Sequence, residues 1–229
     1  MKQTHVAIIP ARKGSTGLPF KNRMLFDYTA YFIEREGFFD SIIVSTNDEI
    51  VTEKAMQRGY TIHRRSEELA GDDVSMKRVF KAVIVDFRIP DDHILWIFSL
   101  PVLYKNISDF IEAKKIIESG IVRSLCGFIP AKSHPFYCWS YEPKSRELRQ
   151  YIANDVFRRQ DLPPAWTPHN YLQCFRAGEI DALNSEMLNS NTYPFFLNQK
   201  AIDNIIEIDT PEELEQWEKM TGKRIERWK

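Results

Sequence analysis

His5-Val6-Ala7-Ile8-Ile9-Pro10-Ala11-Arg12-Lys13-Gly14-Ser15-Thr16-Gly17-Leu18-Pro19-Phe20-Lys21-Asn22 passes from an apolar run into a basic loop that holds two glycines. Val6 to Ile9 are all apolar and, apart from Ala7, β-branched, the pattern of a strand covered on both faces in a parallel sheet. Pro10 ends the strand. Gly14 and Gly17 allow backbone N–H groups to converge on an anion, and Arg12, Lys13 and Lys21 add positive charge. A phosphate-bearing ligand fits such a loop; a Gly- and Lys-containing connection without any ligand is the competing reading. Neither Gly-x-x-x-x-Gly-Lys-Ser/Thr nor Gly-x-Gly-x-x-Gly is present, which excludes a P-loop and a dinucleotide fingerprint here.

Around this run, 229 residues with 43% hydrophobic content are enough for one sizeable core. Balanced charge, 31 basic against 32 acidic residues, gives no global reason to expect nucleic acid or an anionic membrane as partner, so any polyanion site must be local. Cys126, Cys138 and Cys174 are odd in number and far apart, with neither a disulfide framework nor metal-ligand spacing, and read as free thiols in a reducing compartment. No apolar run approaches the roughly 18 residues of a membrane span, and no signal-peptide core is found at the N-terminus. A cytoplasmic location is the expectation.

Further strands are expected at Ser41–Ser45, Ile94–Phe98, Ile121–Ile129, Tyr193–Leu197 and Ile205–Thr210, with helices between them. Tyr28–Arg35 reads as a short helix. Thr46 with Glu49 matches a capping box for a helix running to Arg58, and Asp72 or Asp73 is placed to cap the next, whose apolar stripe is Val79, Phe80, Val83, Ile84 and Phe87. A helix is expected from Ile107 to Gly120, another over Glu179–Leu188, and a last one opened by Thr210-Pro211-Glu212-Glu213 as N-cap, N1 proline and capping box. This alternation predicts an α/β fold with a doubly wound, mostly parallel sheet. Residues 1–129 and 168–229 form that domain. Residues 130–167, with Pro-flanked aromatic clusters and the charged piece Glu142–Arg149, form an excursion from it.

Three features stay open on the residues alone. Arg65 is either a solvated loop charge or a ligand clamp. Glu207 and Asp209 stand at i and i+2 of a strand, on one face, and either pair through a bound cation or project into water. His169 reads as a loop histidine.

Ile9-Pro10-Ala11-Arg12-Lys13-Gly14-Ser15-x-Gly17-Leu18-Pro19-x-Lys21-Asn22 resembles the N-terminal signature of the acylneuraminate cytidylyltransferases. Arg65-Ser66-Glu67-Glu68-Leu69-Ala70-Gly71-Asp72 is similar to that family's Arg-Pro-x-x-Leu-Ala-x-Asp element. His134-Pro135 with Arg158-Arg159-Gln160-Asp161-Leu162-Pro163 resembles its dimerisation arm, and Glu207-Ile208-Asp209-Thr210 its Asp-Ile-Asp-Thr metal site. The four motifs occur in the family's order from about His5 to Trp217. The resemblance implies a nucleotide-diphospho-sugar transferase-like fold and a homodimer that transfers CMP from CTP to a nonulosonic, sialic-acid-like sugar with release of pyrophosphate. Carried over residue by residue, it implies catalytic roles for Arg12, Lys21 and Asp209, and nucleotide binding by Ala11, Arg12, Gly14, Ser15, Asn22 and Arg65. It further implies sugar contacts from Ile97, Ser99, Arg159, Gln160 and His169, and Mg²⁺ held by Asp209 and Glu207.

The chain departs from the family at Thr16, where a second Lys is usual, at Ile97, which replaces a Gln, and at His169-Asn170, which replaces Asn-Gly. These departures fall mainly on the sugar side. Two alternatives therefore accompany the first reading: a Kdo-type cytidylyltransferase, and a nucleotide- or glycan-binding module without turnover.

Overall fold

The computed structural model describes residues 3–228. In chain order the elements are β1 (His5–Pro10), α1 (Lys21–Glu36), β2 (Ser41–Thr46), α2 (Glu49–Gln57), β3 (Thr61–Arg64), α3 (Met76–Asp86), β4 (Ile94–Ile97), α4 (Ile107–Glu118) and β5 (Ser124–Pro130). They are followed by β6 (Trp139–Glu142), β7 (Glu147–Gln150), β8 (Trp166–Arg176), β9 (Tyr193–Phe196), α5 (Gln199–Asn204) and α6 (Pro211–Thr221). Seven strands form one sheet in the order β3-β2-β1-β4-β8-β5-β9; β6 and β7 pair only with each other. Within the seven-stranded sheet all pairings are parallel except those of β8, which runs antiparallel to both β4 and β5; β6 and β7 are antiparallel to each other. The doubly wound, mostly parallel sheet expected from the alternation of elements is thus present.

Side-chain alternation along β1 explains why both faces are covered. Ala7 and Ile9 enter a core shared with α1, α2, α4 and α6, while Val6 and Ile8 enter a second core with Phe80 and Val83 of α3. Helices on both faces need strands apolar on both faces, which is what the uninterrupted run Val6–Ile9 supplies. At the N-terminal end of β1, buried His5 accepts from Trp96 Nε1 at Nδ1 (2.9 Å) and donates through Nε2 to Glu118 (3.0 Å), tying the strand to β4 and α4.

Neighbouring strands leave β1 in opposite directions, β2 on one side and β4 on the other. The loops after β1 and β4 therefore open a crevice at a switch point, where an α/β sheet offers room for a ligand.

Several local expectations are corrected. The first helix begins at Lys21, not Tyr28, so Lys21 and Asn22 belong to its first turn rather than to the loop. Thr46 is the last residue of β2 and uses its hydroxyl on the Ala11 carbonyl. Asp48 caps α2 instead, accepting from the amides of Ile50 (2.9 Å) and Val51 (3.4 Å). Ser75, not Asp72 or Asp73, caps α3. Within its stripe Val79, Phe80 and Val83 are buried, whereas Phe87 lies past the helix and is exposed. Strand β3 had no sequence reading of its own.

Glu179–Leu188 is not a helix: Asn184 Oδ1 takes the amides of Glu186 (3.0 Å) and Leu188 (2.9 Å), a local turn that competes with helical bonding. Ile205–Thr210 pairs through a single bridge, Val102 to Glu207, rather than as a full strand. Its alternation survives, with Ile208 fully buried between two carboxylates. The capping box at Thr210 and Glu213 is present as expected. All three cysteines are free, Cys126 and Cys174 buried and Cys138 partly so. Among the described residues no helix is long and apolar enough to cross a membrane.

Candidate active site

Pro10 hands the chain from the sheet to Ala11, whose amide bonds to the Ser45 carbonyl (2.9 Å) and whose carbonyl accepts from Thr46. Both ends of the Ala11 peptide are therefore pinned to β2. Asn22 Nδ2 reaches back to the Arg12 carbonyl (2.8 Å), and the Lys13 amide bonds to Asn47 Oδ1 (2.7 Å). These contacts close a small hollow of about 180 Å³ lined by Arg12, Gly14, Ser15, Lys21 and Asn22 among others. Gly14 has φ +78°, the left-handed conformation that glycine adopts without strain. Phe20 precedes α1 without donating a side-chain cap, and no acid stands in the first turn, so the positive end of this helix opens beside Lys21.

Arg12 bonds to the Ala70 carbonyl (3.4 Å) and pairs with Asp72 of the Leu-Ala-Gly-Asp element. Arg65, from the start of the same element, is buried and directs its guanidinium to Ser45, Nε to the hydroxyl (3.3 Å) and Nη2 to the carbonyl (3.1 Å). Burial, reinforced by the charge of Arg12, lowers its pKa to about 10. The two guanidiniums, only one of them paired with a carboxylate among the described residues, gather positive charge on this side of the loop. Its burial sets aside the reading of Arg65 as a solvated loop charge.

Lys21 Nζ pairs with Asp209, which joins the N-terminal loop to the C-terminal motif across 188 residues of sequence. The backbone packs as closely: a Cβ added at Gly17 would stand 2.5 Å from the Asp209 carbonyl oxygen. Asp209 is held from its other side by Glu213 Oε2, which accepts from its amide (2.8 Å). Asp209 and Glu207 line a cleft of about 710 Å³ together with His169, Lys132 and Thr167.

His169 lies within β8 rather than in a loop, opposite Gly127 at the point where the β5–β8 register shifts. Its Nδ1 accepts the Tyr171 amide (3.1 Å), leaving Nε2–H as the donor. Burial lowers its pKa, opposed by the nearby charge of Glu207. Ile97 and Ser99 line a neighbouring cleft of about 390 Å³ with Met76, Asn170, Gln173 and Met187, and Pro168 borders both clefts.

The arm residues stand apart in the single chain. Arg159 lines a third cleft of about 510 Å³, next to the Asp209 cleft through shared Lys132 and Ser133, and Gln160 is exposed. The fold thus brings Arg12 to Arg65 and Lys21 to Asp209, and leaves Arg159 and Gln160 outside that grouping. Sequence reading missed Lys132, Ser45 and His63, the last two beneath Arg65; the only trace of Ser45 was its place before the Thr46-Asn47-Asp48-Glu49 capping pattern.

Two buried histidines make stability depend on pH. Burial holds His5 and His63 below the ordinary 6.5, against the opposing pull of Glu118 and Asp86. The unfolded chain accepts protons that the folded one refuses, so their contribution is full above 6.5 and is lost as pH falls through the depressed values. The urea midpoint is expected to drop between about pH 7.5 and about pH 5.5; a flat or rising midpoint would contradict this.

The cytidylyltransferase family model matches residues 6–99. The chain is 28% identical over 215 residues to the N-acylneuraminate cytidylyltransferase of Streptococcus agalactiae serotype III (strain NEM316), covering 90% of this chain and 50% of that protein. It thus spans about half the length of that streptococcal relative. It is 25% identical over 218 residues to the CMP-N,N'-diacetyllegionaminic acid synthase of Legionella pneumophila, covering 90% of this chain and 91% of the other. Among solved structures, a CMP:2-keto-3-deoxy-manno-octonic acid synthetase complexed with CTP superposes with a TM-score of 0.65 at 14% identity, covering 96% and 99% of the two chains. The 2-C-methyl-D-erythritol 4-phosphate cytidylyltransferase of Francisella tularensis gives 0.57 at 15% identity, covering 93% and 98%. At such identities these structures speak to a shared nucleotidyltransferase-like fold alone. Over 90% of its length the chain is similar in sequence to an N-acylneuraminate cytidylyltransferase, and residues 6–99 match the cytidylyltransferase family model.

Proposed function

We propose that this protein transfers CMP from CTP to a nonulosonic acid and releases pyrophosphate. The observation that carries the reading is the meeting of Lys21, the N-terminal loop and Asp209 at one edge of a cleft large enough for a sugar acid. Arg12, Arg65, Lys21 and the open end of α1 set positive charge where the triphosphate and the departing pyrophosphate would lie, which is the main demand of nucleotidyl transfer. His169 Nε2–H and Lys132 offer donors to the carboxylate or hydroxyls of the acceptor in the adjoining cleft.

Mg²⁺ fits the donor set. Glu207 and Asp209 flank buried Ile208 and open into the same cleft, and among the described residues no set of three or more His, Cys, Asp or Glu is gathered closely enough to hold a metal ion without substrate. One or two carboxylates with substrate phosphates completing the shell is the usual arrangement for this ion. Bound there, it would polarise the phosphate under attack.

The acceptor is read from Ile97. Ile97 lines the cleft that adjoins the Asp209 cleft at Pro168, and a methyl-bearing surface there, where the motif of the resembled family has Gln, favours an acceptor that extends a less polar substituent past Pro168. A deoxy or N-acylated relative of sialic acid, such as a legionaminic- or pseudaminic-type acid, is therefore expected to give a higher kcat/KM than N-acetylneuraminate. Pyrophosphate release from CTP with a panel of these acids and with Kdo is the test. Preference for plain N-acetylneuraminate would overturn the Ile97 argument, preference for Kdo would move the chain to the alternative reading, and no release with any sugar would make it a binding module.

The segment between β5 and β8 supports a homodimer. A lone two-stranded hairpin is marginal in water, yet β6 and β7 hold exposed Trp139, Tyr141 and Leu148, followed by Tyr151 and Phe157. Docked on a second copy, the arm would cover those side chains and carry Arg159 and Gln160 toward the partner's cleft. Light scattering at working concentration is expected to give twice the chain mass; a monomer would refute it.

A further inference from the structure

Beneath Arg65 lies a chain of hydrogen bonds that the reaction as described does not use. Parallel pairing of β2 with β3 sets Ser45 beside His63 and Thr46 beside Arg64, and the Arg65 amide continues the ladder to the Thr46 carbonyl (2.9 Å). Ser45 Oγ lies 2.8 Å from His63 Nδ1, and His63 Nε2 lies 3.1 Å from Asp86 Oδ2 at the end of α3. Ser45 is fully buried and His63 nearly so, while Asp86 is largely exposed. Arg65 has no carboxylate partner among the described residues; its guanidinium rests on Ser45 alone.

Proton positions in this chain are set by what each atom can do. Asp86 accepts, so Nε2 carries the hydrogen and Nδ1 of the neutral ring is left as an acceptor. The Ser45 hydroxyl then donates to Nδ1, which turns its lone pairs to the Arg65 Nε–H. We propose that His63 is a positioning residue for Arg65, its neutral imidazole orienting Ser45 so that a buried guanidinium is held toward the nucleotide phosphates beside Arg12, and that protonation of His63 releases this hold. The role toward phosphate rests on the cytidylyltransferase reading.

If His63 takes a proton at Nδ1, that nitrogen becomes a donor. Ser45 Oγ must then accept from both Nδ1–H and Arg65 Nε–H, and its own proton loses its acceptor. The groups facing His63 are Asp86 from α3, Ser45 from β2, the charge of Arg65 and the ring of Phe87 at 6.2 Å. Asp86 stands against Nε2, so the added imidazolium charge is largely offset and the loss of geometry dominates. Burial favours the neutral ring at neutral pH. CTP affinity is therefore expected to fall as the solution is acidified below the ordinary histidine range.

Two measurements on the full-length protein decide it. In the nucleotide-free protein, NMR of the His63 imidazole and the Arg65 Nε–H should show an Nε2–H tautomer near pH 7.5 and a common midpoint as both respond to acid. In parallel, CTP binding by calorimetry should weaken about tenfold in His63→Leu and in Ser45→Ala, with the double variant no worse than either. His63→Asn keeps an acceptor near the Nδ1 position and cannot titrate. It should bind CTP within about threefold of wild type near neutrality and lack the additional weakening that wild type shows in acid. The CTP γ-phosphate titrates in the same range but is common to every variant, so the difference between wild type and His63→Asn isolates the imidazole. Independent responses of His63 and Arg65, or His63→Leu folded and binding CTP as wild type does, would overturn the proposal. A shared midpoint in a protein that binds no CTP at any pH would leave the coupling standing and refute the nucleotide role instead.

Discussion

Replacing Lys21 by alanine is expected to lower the rate of CMP transfer by about 100-fold or more, with little change in stability, because removal of one well-placed electrostatic group typically costs that much. Lys21 is the first residue of α1, mostly buried, with its ammonium on a half-exposed Asp209 carboxylate. In the free protein that pair contributes about 1 kcal/mol or less, since one partner is open to solvent. On the proposed reaction the same ammonium would stand at the edge where negative charge builds on the phosphates, and water in its place would be a weaker, disordered substitute. Lys21→Arg keeps the charge but spreads it over a planar fork that does not fit the space of a compact ammonium, so it should restore activity only in part. Steady-state kinetics with CTP and the preferred acid, alongside urea unfolding, separates the two effects. Turnover within a few-fold of wild type in Lys21→Ala would place the chemistry elsewhere.

Gly17→Ala is expected to damage both fold and activity, through contact rather than backbone strain. The new methyl would meet the Asp209 carbonyl oxygen at 2.5 Å and its carbon at 3.5 Å, and neither is the tip of a flexible side chain. Asp209 cannot easily retreat. Its amide is held by Glu213, and the Ile208 amide bonds to the Pro101 carbonyl at 3.0 Å. The loop must move instead, at about 1–3 kcal/mol for an overpacked contact. It carries Arg12 and Lys21 with it, and a shift of about 1 Å at reacting groups can cost about 100-fold in rate. Gly14→Ala is the control: its surroundings are empty within 4 Å, so only the strain of φ +78° remains, and it should lose about 1 kcal/mol with a smaller loss of turnover. Equal and small effects of the two substitutions would show that the loop does not rely on its approach to Asp209.

What was legible in the chain follows from the range of the forces involved. The strand Val6–Ile9, the capping box at Thr210 and the alternation around Ile208 are set by neighbours within a few residues, and each is present. Helix starts were less legible where two oxygens compete. Thr46 and Asp48 both suit an N-cap, and the choice fell to Asp48 because the sheet claims Thr46 for the Ala11 carbonyl. Glu179–Leu188 has the spacing of a helix, but Asn184 offers its amides a nearer acceptor.

Local pattern along the chain carried the class of sheet, the basic loop at the end of its first strand and the order of motifs that resembles the cytidylyltransferases, since each is set by residues close together in sequence. That Lys21 meets Asp209 and that Gly17 must be small came from the folded chain alone. The fold likewise shows that Arg65 is buried on a Ser45–His63–Asp86 chain, and that Arg159 stays outside the Asp209 cleft of its own chain. Those contacts join residues 18 to 192 positions apart, brought together by the sheet order, and periodicity along a chain carries no information about a partner that another strand delivers.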